Sequence, residues 1–215
     1  MTIKLYGHPF AAFVWKALIA AYERDVPFEF CIVDPDHAEN SARIAELSPT
    51  GQFPALIDGE REITQSSSVV EYLDRCGHGP AMIPADPDTA LEARMLTYIF
   101  DSYVAEPMQQ IVGEALRQKD QQGPRRVTEA KSRLDKSYAW LSKHIGSGWA
   151  NGDSFNIADC AAAPALFYAD WVHPIPAGTL KAYRARLLKH PSVARVVDEA
   201  RPYRLFFPLG APDRD

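Results

Sequence analysis

The stretch Ser48-Pro49-Thr50-Gly51-Gln52-Phe53-Pro54-Ala55-Leu56-Ile57 constrains this chain more than any other. Turn residues run into a proline, and an apolar strand follows. Proline brings no N–H to a sheet ladder, so it suits the first residue of a strand and not the centre of one. A bend or a cis bond at Pro54 would leave the main chain of Phe53 bare for a ligand. Read alone, the segment is a loop entering a strand. The residues that follow give it more meaning. Asp58-Gly59 makes a hairpin turn, Ile63-Thr64 a short return strand, and Gln65-Ser66-Ser67-Ser68 a polar run opening an apolar helix over residues 67–75. Strand, hairpin, strand and helix N-terminus form a compact device for holding a small anion against backbone amides.

Upstream, residues 3–6 read as a strand that Gly7-His8-Pro9 breaks. Residues 11–21 carry Val14, Leu18 and Ala21 on one helical stripe. Residues 26–33 are a second strand, ended by Asp34-Pro35-Asp36, and residues 40–47 a short helix. The order β-α-β-α-β-β-α describes a mixed sheet with helices packed on it, over residues 1–78.

Composition then changes. Glycines and prolines mark residues 79–88 as a linker, and no strand pattern returns over residues 89–215. Residues 89–119 are a long helical region with Leu91, Met95, Ile99 and Tyr103 in register, and Pro107 should kink or interrupt it. Residues 124–145 are amphipathic; residues 157–172 are apolar nearly all round, the mark of a buried helix. Residues 179–189 and 192–201 close an all-helical domain. Asn156-Ile157-Ala158-Asp159 is a capping box in acidic form at the start of the buried helix. The tail Pro202-Tyr203-Arg204-Leu205-Phe206-Phe207-Pro208 is too apolar to float free and is expected to pack over a cleft.

Composition narrows the function. A net charge of −5 argues against nucleic acid as a partner. The 3 cysteines, Cys31, Cys76 and Cys160, are far apart and show no metal-like spacing. They point to a reducing compartment with no disulfide framework and no metal. No signal segment and no membrane-spanning apolar run is visible, so the expected location is the cytoplasm.

Four segments resemble the cytosolic glutathione transferase family, in its plant-type and bacterial classes. Lys4-Leu5-Tyr6-Gly7-His8-Pro9 is similar to the family's first strand and active-site loop. The segment from Ser48 to Leu56 is similar to its N-P-x-G-x-V-P-x-L motif, whose proline is cis. Gln65-Ser66-Ser67-Ser68-Val69-Val70-Glu71-Tyr72-Leu73 is similar to E-S-x-A-I-x-x-Y-L, and Asn156 to Asp159 to the S/T-x-A-D cap. The resemblance implies a thioredoxin-like N-terminal domain, an all-α C-terminal domain and a homodimer. It implies glutathione as co-substrate, bound near Phe10, Gln52, Phe53, Pro54, Gln65, Ser66 and Ser67. Phe53 would pair through its main chain with the cysteinyl part, in strand-like fashion. Gln65 and Ser66 would take the γ-glutamyl end at a helix N-terminus. His37 or Asn40 would join Gln52 near the glycyl end.

The departure lies in the first loop. Glutathione reacts as its thiolate. Related classes place a serine or cysteine just after the proline of this loop, where this chain has Ala11 and Ala12. Three replacements stand open: the backbone amides of Ala11 and Ala12, the phenol of Tyr6, and the imidazole of His8. Tyr6 is equally a strand aromatic packed in a core, and His8 a locally bonded loop histidine. Phe13, Tyr98, Tyr103 and Tyr203, with Phe10 and Phe206, are candidates for lining a second-substrate cleft between the domains, and Arg201 and Arg204 for closing over an anion. The resemblance implies attack of glutathione on a small hydrophobic electrophile. Isomerisation, peroxide reduction or dehalogenation on the same scaffold is the alternative, as is a non-catalytic glutathione-binding protein.

Overall fold

In the computed structural model, which describes residues 2–215, the chain divides into two units: one closes at Ile83, the other opens at Pro84. The first is built on a four-stranded sheet of order β2-β1-β3-β4. Strand β1 (Ile3–Gly7) lies parallel to β2 (Phe28–Ile32). On its other side it pairs antiparallel with β3 (Ala55–Asp58), which pairs antiparallel with β4 (Arg61–Thr64). A parallel pair needs a crossover, and α1 (Ala12–Glu23) supplies it. That helix is buried from Val14 through Ala21. Gly7 is required at the end of β1, because a Cβ there would lie 2.5 Å from a Val14 methyl. Helix α2 (Ala38–Leu47) packs Ile44 into the core, and α3 (Ser66–Cys76) packs Val69, Val70 and Leu73.

The element order is the expected one, with shifted bounds. The second strand loses Val26, whose N–H turns back to the Ala21 carbonyl at 2.9 Å. Arg24 Nε, nearly buried, sits 3.1 Å from an Asp74 carboxylate oxygen. Asp74 also accepts the Met82 and Ile83 N–H groups at 2.7 and 3.3 Å. These bonds carry the first unit on to Ile83.

The second unit is all helical. Helix α4 (Pro87–Ile99) starts two residues before the expected point, because Asp86 caps it through the Thr89 N–H at 2.8 Å. A π-helical turn, Phe100–Ala105, joins it to α5 (Glu106–Leu116). The interruption expected from Pro107 takes this form. Proline has no N–H for the carbonyl four residues back. That carbonyl, on Tyr103, instead accepts the Ser137 hydroxyl at 2.7 Å. Helices α6 (Pro124–His144), α7 (Ile157–Val172), α8 (Thr179–Lys189) and α9 (Pro191–Ala200) follow, then a 3-10 turn, Arg201–Phe206. Helix α7 is buried from Ile157 to Asp170.

The capping box forms. Asn156 Oδ1 accepts the Ala158 N–H at 2.9 Å and Asp159 Oδ2 accepts the Asn156 N–H at 3.0 Å. The other oxygen of Asp159 accepts the Ala150 N–H at 2.9 Å and the Tyr183 hydroxyl at 2.6 Å. One buried carboxylate therefore ties the helix start to the preceding loop and to α8.

Of the residues in register on the first long helical region, Leu91, Met95 and Tyr103 face solvent: they are 67, 46 and 56 % exposed. The buried face of α4 carries Ala90, Ala93, Leu96 and Thr97, because small residues allow close approach to the alanine-rich α7. The tail is only partly packed. Phe207 is buried against Tyr168 and Trp171, while Leu205 and Phe206 are exposed. Arg201 and Arg204, expected to close over an anion, are both engaged by the Asp215 carboxylate. No helix among the described residues is long and apolar enough to cross a membrane.

Candidate functional site

Strand register gathers the sequence candidates of the first unit at one end of the sheet. Tyr6 pairs with Ala55, and Ala55 with Thr64. The loop after β1, the residues before β3 and the start of α3 therefore lie side by side. The loop after β2 joins them, since the Val33 N–H donates to the Gly7 carbonyl at 2.9 Å.

The Phe53-Pro54 bond is cis. Pro54 is buried, and the ring of Phe53 packs against the cluster of Tyr6, Cys31, Ile44 and Ala55. The main-chain N–H and C=O of Phe53 have no partner among the described residues. They stand one residue short of the β3 ladder, as a free strand edge. Gly51, at φ +66°, makes the preceding turn in a conformation that side chains disfavour. The Gln52 N–H is fixed by Ser48 Oγ at 3.1 Å, which leaves the Gln52 side chain exposed beside that edge.

Three bonds help to hold the first loop. Phe10 N–H donates to His8 Nδ1 at 3.1 Å, Ala11 N–H to the His8 carbonyl at 3.0 Å, and Trp15 Nε1–H to the Pro9 carbonyl at 2.8 Å. The first bond assigns the His8 tautomer: Nδ1 is the acceptor, so the proton is on Nε2. Burial lowers the His8 pKa below its ordinary value, against the opposing charge of Asp34. His8 is thus a neutral N–H donor at neutral pH. The second bond corrects the expectation for Ala11, whose amide is spent inside the turn. The amides of Ala12 and Phe13, in the first turn of α1, have no intrahelical acceptor, as at any helix start. Tyr6 is corrected too. It is 7 % exposed in the core cluster, opposite Cys31, and burial raises its pKa. A phenol so placed is a packing group.

Gln65 precedes α3 with φ +69°, a left-handed conformation that costs a non-glycine residue about 1 kcal/mol or more. Such strain gathers at binding sites. The first turn of α3 holds no acidic residue to answer the helix dipole. Ser66 is 8 % exposed and its hydroxyl has no partner among the described residues. Lys16 is 1 % exposed, and its Nζ donates to Ser67 Oγ at 2.9 Å. A cation and a helix N-terminus at one place favour an anion. The sequence reading missed Lys16, which falls on the apolar side of α1 and looks there like a break in pattern.

At the far end, Asn40 Nδ2 donates to the Ile32 carbonyl at 2.8 Å, so its amide is committed to the fold. His37 is half-buried, with Nδ1 2.7 Å from Asp34 Oδ1. Its pKa is raised, chiefly by that bond. Asp34 was also missed, since its only visible signal was as a strand terminator.

The second-substrate candidates divide between the units. Phe13 belongs to the first, with Lys16 Nζ 5.9 Å from its ring centre. Tyr98, Tyr103 and Tyr203 belong to the helical unit. Tyr98 is 61 % exposed, and Tyr203 lies 6.4 Å from Phe206, ring to ring. Tyr103 lines a 430 Å³ pocket with Ile99, Arg133, Lys136, Ser137 and Trp140. Among the described residues no cluster of three or more His, Cys, Asp or Glu has metal-holding geometry.

Comparison with known proteins bears on the family and the fold. The chain is 28 % identical over 175 residues to the GST-like protein YibF of Escherichia coli K12, covering 81 % of this chain and 85 % of that one. It is 25 % identical over 172 residues to a probable maleylacetoacetate isomerase of Caenorhabditis elegans, covering 77 and 78 %. A glutathione S-transferase from Methylobacillus flagellatus, solved with GSH bound, superposes with a TM-score of 0.79 at 22 % identity, over 91 % of this chain and 98 % of that one. The family model for the glutathione S-transferase N-terminal domain matches residues 5–80, and that for the C-terminal domain matches residues 121–199. With both domains matched in order, the chain belongs to the glutathione S-transferase family.

Proposed function

We propose that this protein binds glutathione and transfers its thiolate to small hydrophobic electrophiles. The carrying observation is the bare main chain of Phe53 at a cis-proline, set beside the N-terminus of α3. Glutathione is a peptide with a carboxylate at each end, and the site offers a peptide edge with a helix N-terminus beside a lysine at one end and His37 at the other. Phe53 pairs with the cysteinyl backbone, Gln65, Ser66 and Ser67 hold the γ-glutamyl end with the Lys16 charge behind them, and His37 and Gln52 meet the glycyl end. The sulfur then lies against the first loop, where the Ala12 N–H and His8 Nε2–H stabilise the thiolate, beside Phe10. Within the first unit, Phe13 is proposed to line the path of the electrophile. That the Methylobacillus relative was solved with GSH bound supports the ligand assignment.

The protein is further proposed to be a cytoplasmic homodimer. The free cysteines fit a reducing compartment. Leu91, Met95 and Tyr98 form an exposed apolar stripe on α4, and the Tyr103–Trp140 pocket lies between helices of the same unit. A second copy covering that stripe removes it from water.

The test has two arms. Glutathione at 100 times its Kd should stabilise by about 2.7 kcal/mol and raise the Tm by roughly 5–10 °C. No shift at millimolar glutathione removes the assignment. Turnover of a chloronitrobenzene then decides between a transferase and a second reading, a binding protein without turnover, which the absence of a side-chain hydroxyl or thiol at Ala11 and Ala12 favours.

A further inference from the structure

The glycyl end of the proposed site is short of positive charge. Residues 33–41 and 48–54 contain no lysine or arginine. Arg43, the next cation along the chain, is bound to Glu46 at 2.8 Å and also to Glu62. The charged groups around His37 are Asp34 and Asp36 of its own loop and Glu39 of α2, while across the β1 loop His8 feels the charge of Asp34 as well. An incoming carboxylate meets three acidic side chains there. His37 is the residue in these stretches that can carry a compensating charge near neutral pH.

Asp34 is built to keep it charged. Its Oδ1 lies 2.7 Å from His37 Nδ1 and accepts the Asp36 N–H at 2.9 Å. Its carbonyl accepts the His37 N–H and the Ser41 hydroxyl, each at 3.2 Å. The carboxylate is fixed by its own loop, and the ring is fixed against it through Nδ1, which leaves Nε2–H as the donor for a ligand. We propose that Asp34 is a positioning residue that holds His37 as the imidazolium meeting the glycyl carboxylate of glutathione. This rests on the glutathione reading above. Asp34 touches no ligand; it acts through His37.

The probe is S-methylglutathione, which keeps both carboxylates and has no titrating thiol. Its Kd is measured by calorimetry across pH for the wild type, Asp34→Asn, Asp34→Glu and His37→Gln. Asparagine keeps an acceptor for Nδ1–H and removes only the charge. Asp34→Asn should bind within about twofold of wild type near pH 6, where His37 is protonated in both, and about fivefold more weakly near pH 7.5. Asp34→Glu should restore most of the loss, and His37→Gln should flatten the profile. Imidazole NMR should show the His37 titration midpoint falling in Asp34→Asn. Failure of the wild type to bind the probe defeats the glutathione reading and this proposal together. A wild type that binds, with an Asp34→Asn profile unchanged across pH or a His37→Gln profile that keeps the wild-type slope, overturns this proposal alone.

Discussion

Tyr6 and His8 are two residues apart and have different fates. Tyr6 points into the core beside Cys31, while His8 turns its Nδ1 to the Phe10 N–H and keeps Nε2 as a donor. The difference is a strand ending at Gly7, a matter of one residue in register. Accordingly, Tyr6→Phe should leave kcat and glutathione affinity unchanged within about twofold. His8→Ala should lower kcat at neutral pH by about 100-fold while glutathione Kd changes less, since losing a donor to the thiolate raises the pKa of the bound thiol by about two units and lowers the fraction ionised. Steady-state kinetics with a calorimetric Kd separate the two effects. The pH behaviour of His8 has a definite sign. Its native pKa is depressed by burial, so its contribution to stability is intact above its ordinary value of 6.5 and is lost as pH falls through the native value.

At the scale of elements, α7 is the part on which the helical unit depends most. Asp159, with 0 % exposure, accepts from the Asn156 and Ala150 amides and the Tyr183 hydroxyl. Asp159→Ala strands three buried donors and should cost about 3–5 kcal/mol, lowering Tm on the order of 10 °C. Burial pushes the Asp159 carboxyl up to about 6, against the lowering effect of its hydrogen bonds. The native state therefore binds this proton more tightly than the unfolded chain does. Its contribution is full below about pH 4 and is lost as pH rises through 6. Thermal melts of wild type and Asp159→Ala across that range check both statements. The π-helical turn at Phe100–Ala105 is an element of another kind. It absorbs the missing N–H of Pro107 by giving the Tyr103 carbonyl to Ser137.

At the scale of the molecule, the exposed residues of α4 matter most. Leu91 and Met95 were legible in the sequence as residues in register, and the core takes the opposite face of the helix, leaving them and Tyr98 exposed. A stripe of large apolar residues left in water is costly, about 25 cal/mol for each Å². If the proposed dimer forms through this face, the double change Leu91→Glu with Met95→Glu should convert it to monomer in light scattering while leaving the fold intact by circular dichroism. A wild-type protein that is monomeric at micromolar concentration overturns the dimer proposal.

Local signals in the sequence determined the order of elements, the turn and cis-proline before β3, the capping box and the start of α3. Each depends on neighbours within a few residues: missing N–H groups, side-chain caps and period. Sequence patterns also exposed the missing hydroxyl at Ala11, since that is a matter of residue type alone. Tertiary structure decided what depends on distant partners. It committed the Ala11 amide to the His8 carbonyl and the Asn40 amide to β2, and it brought Lys16 to Ser67 across 51 residues. It also chose which face of α4 is buried, because the alanine-rich surface of α7 accepts small residues and leaves the large ones outside. Periodicity identifies a stripe, but only the neighbouring element decides whether that stripe is core or surface.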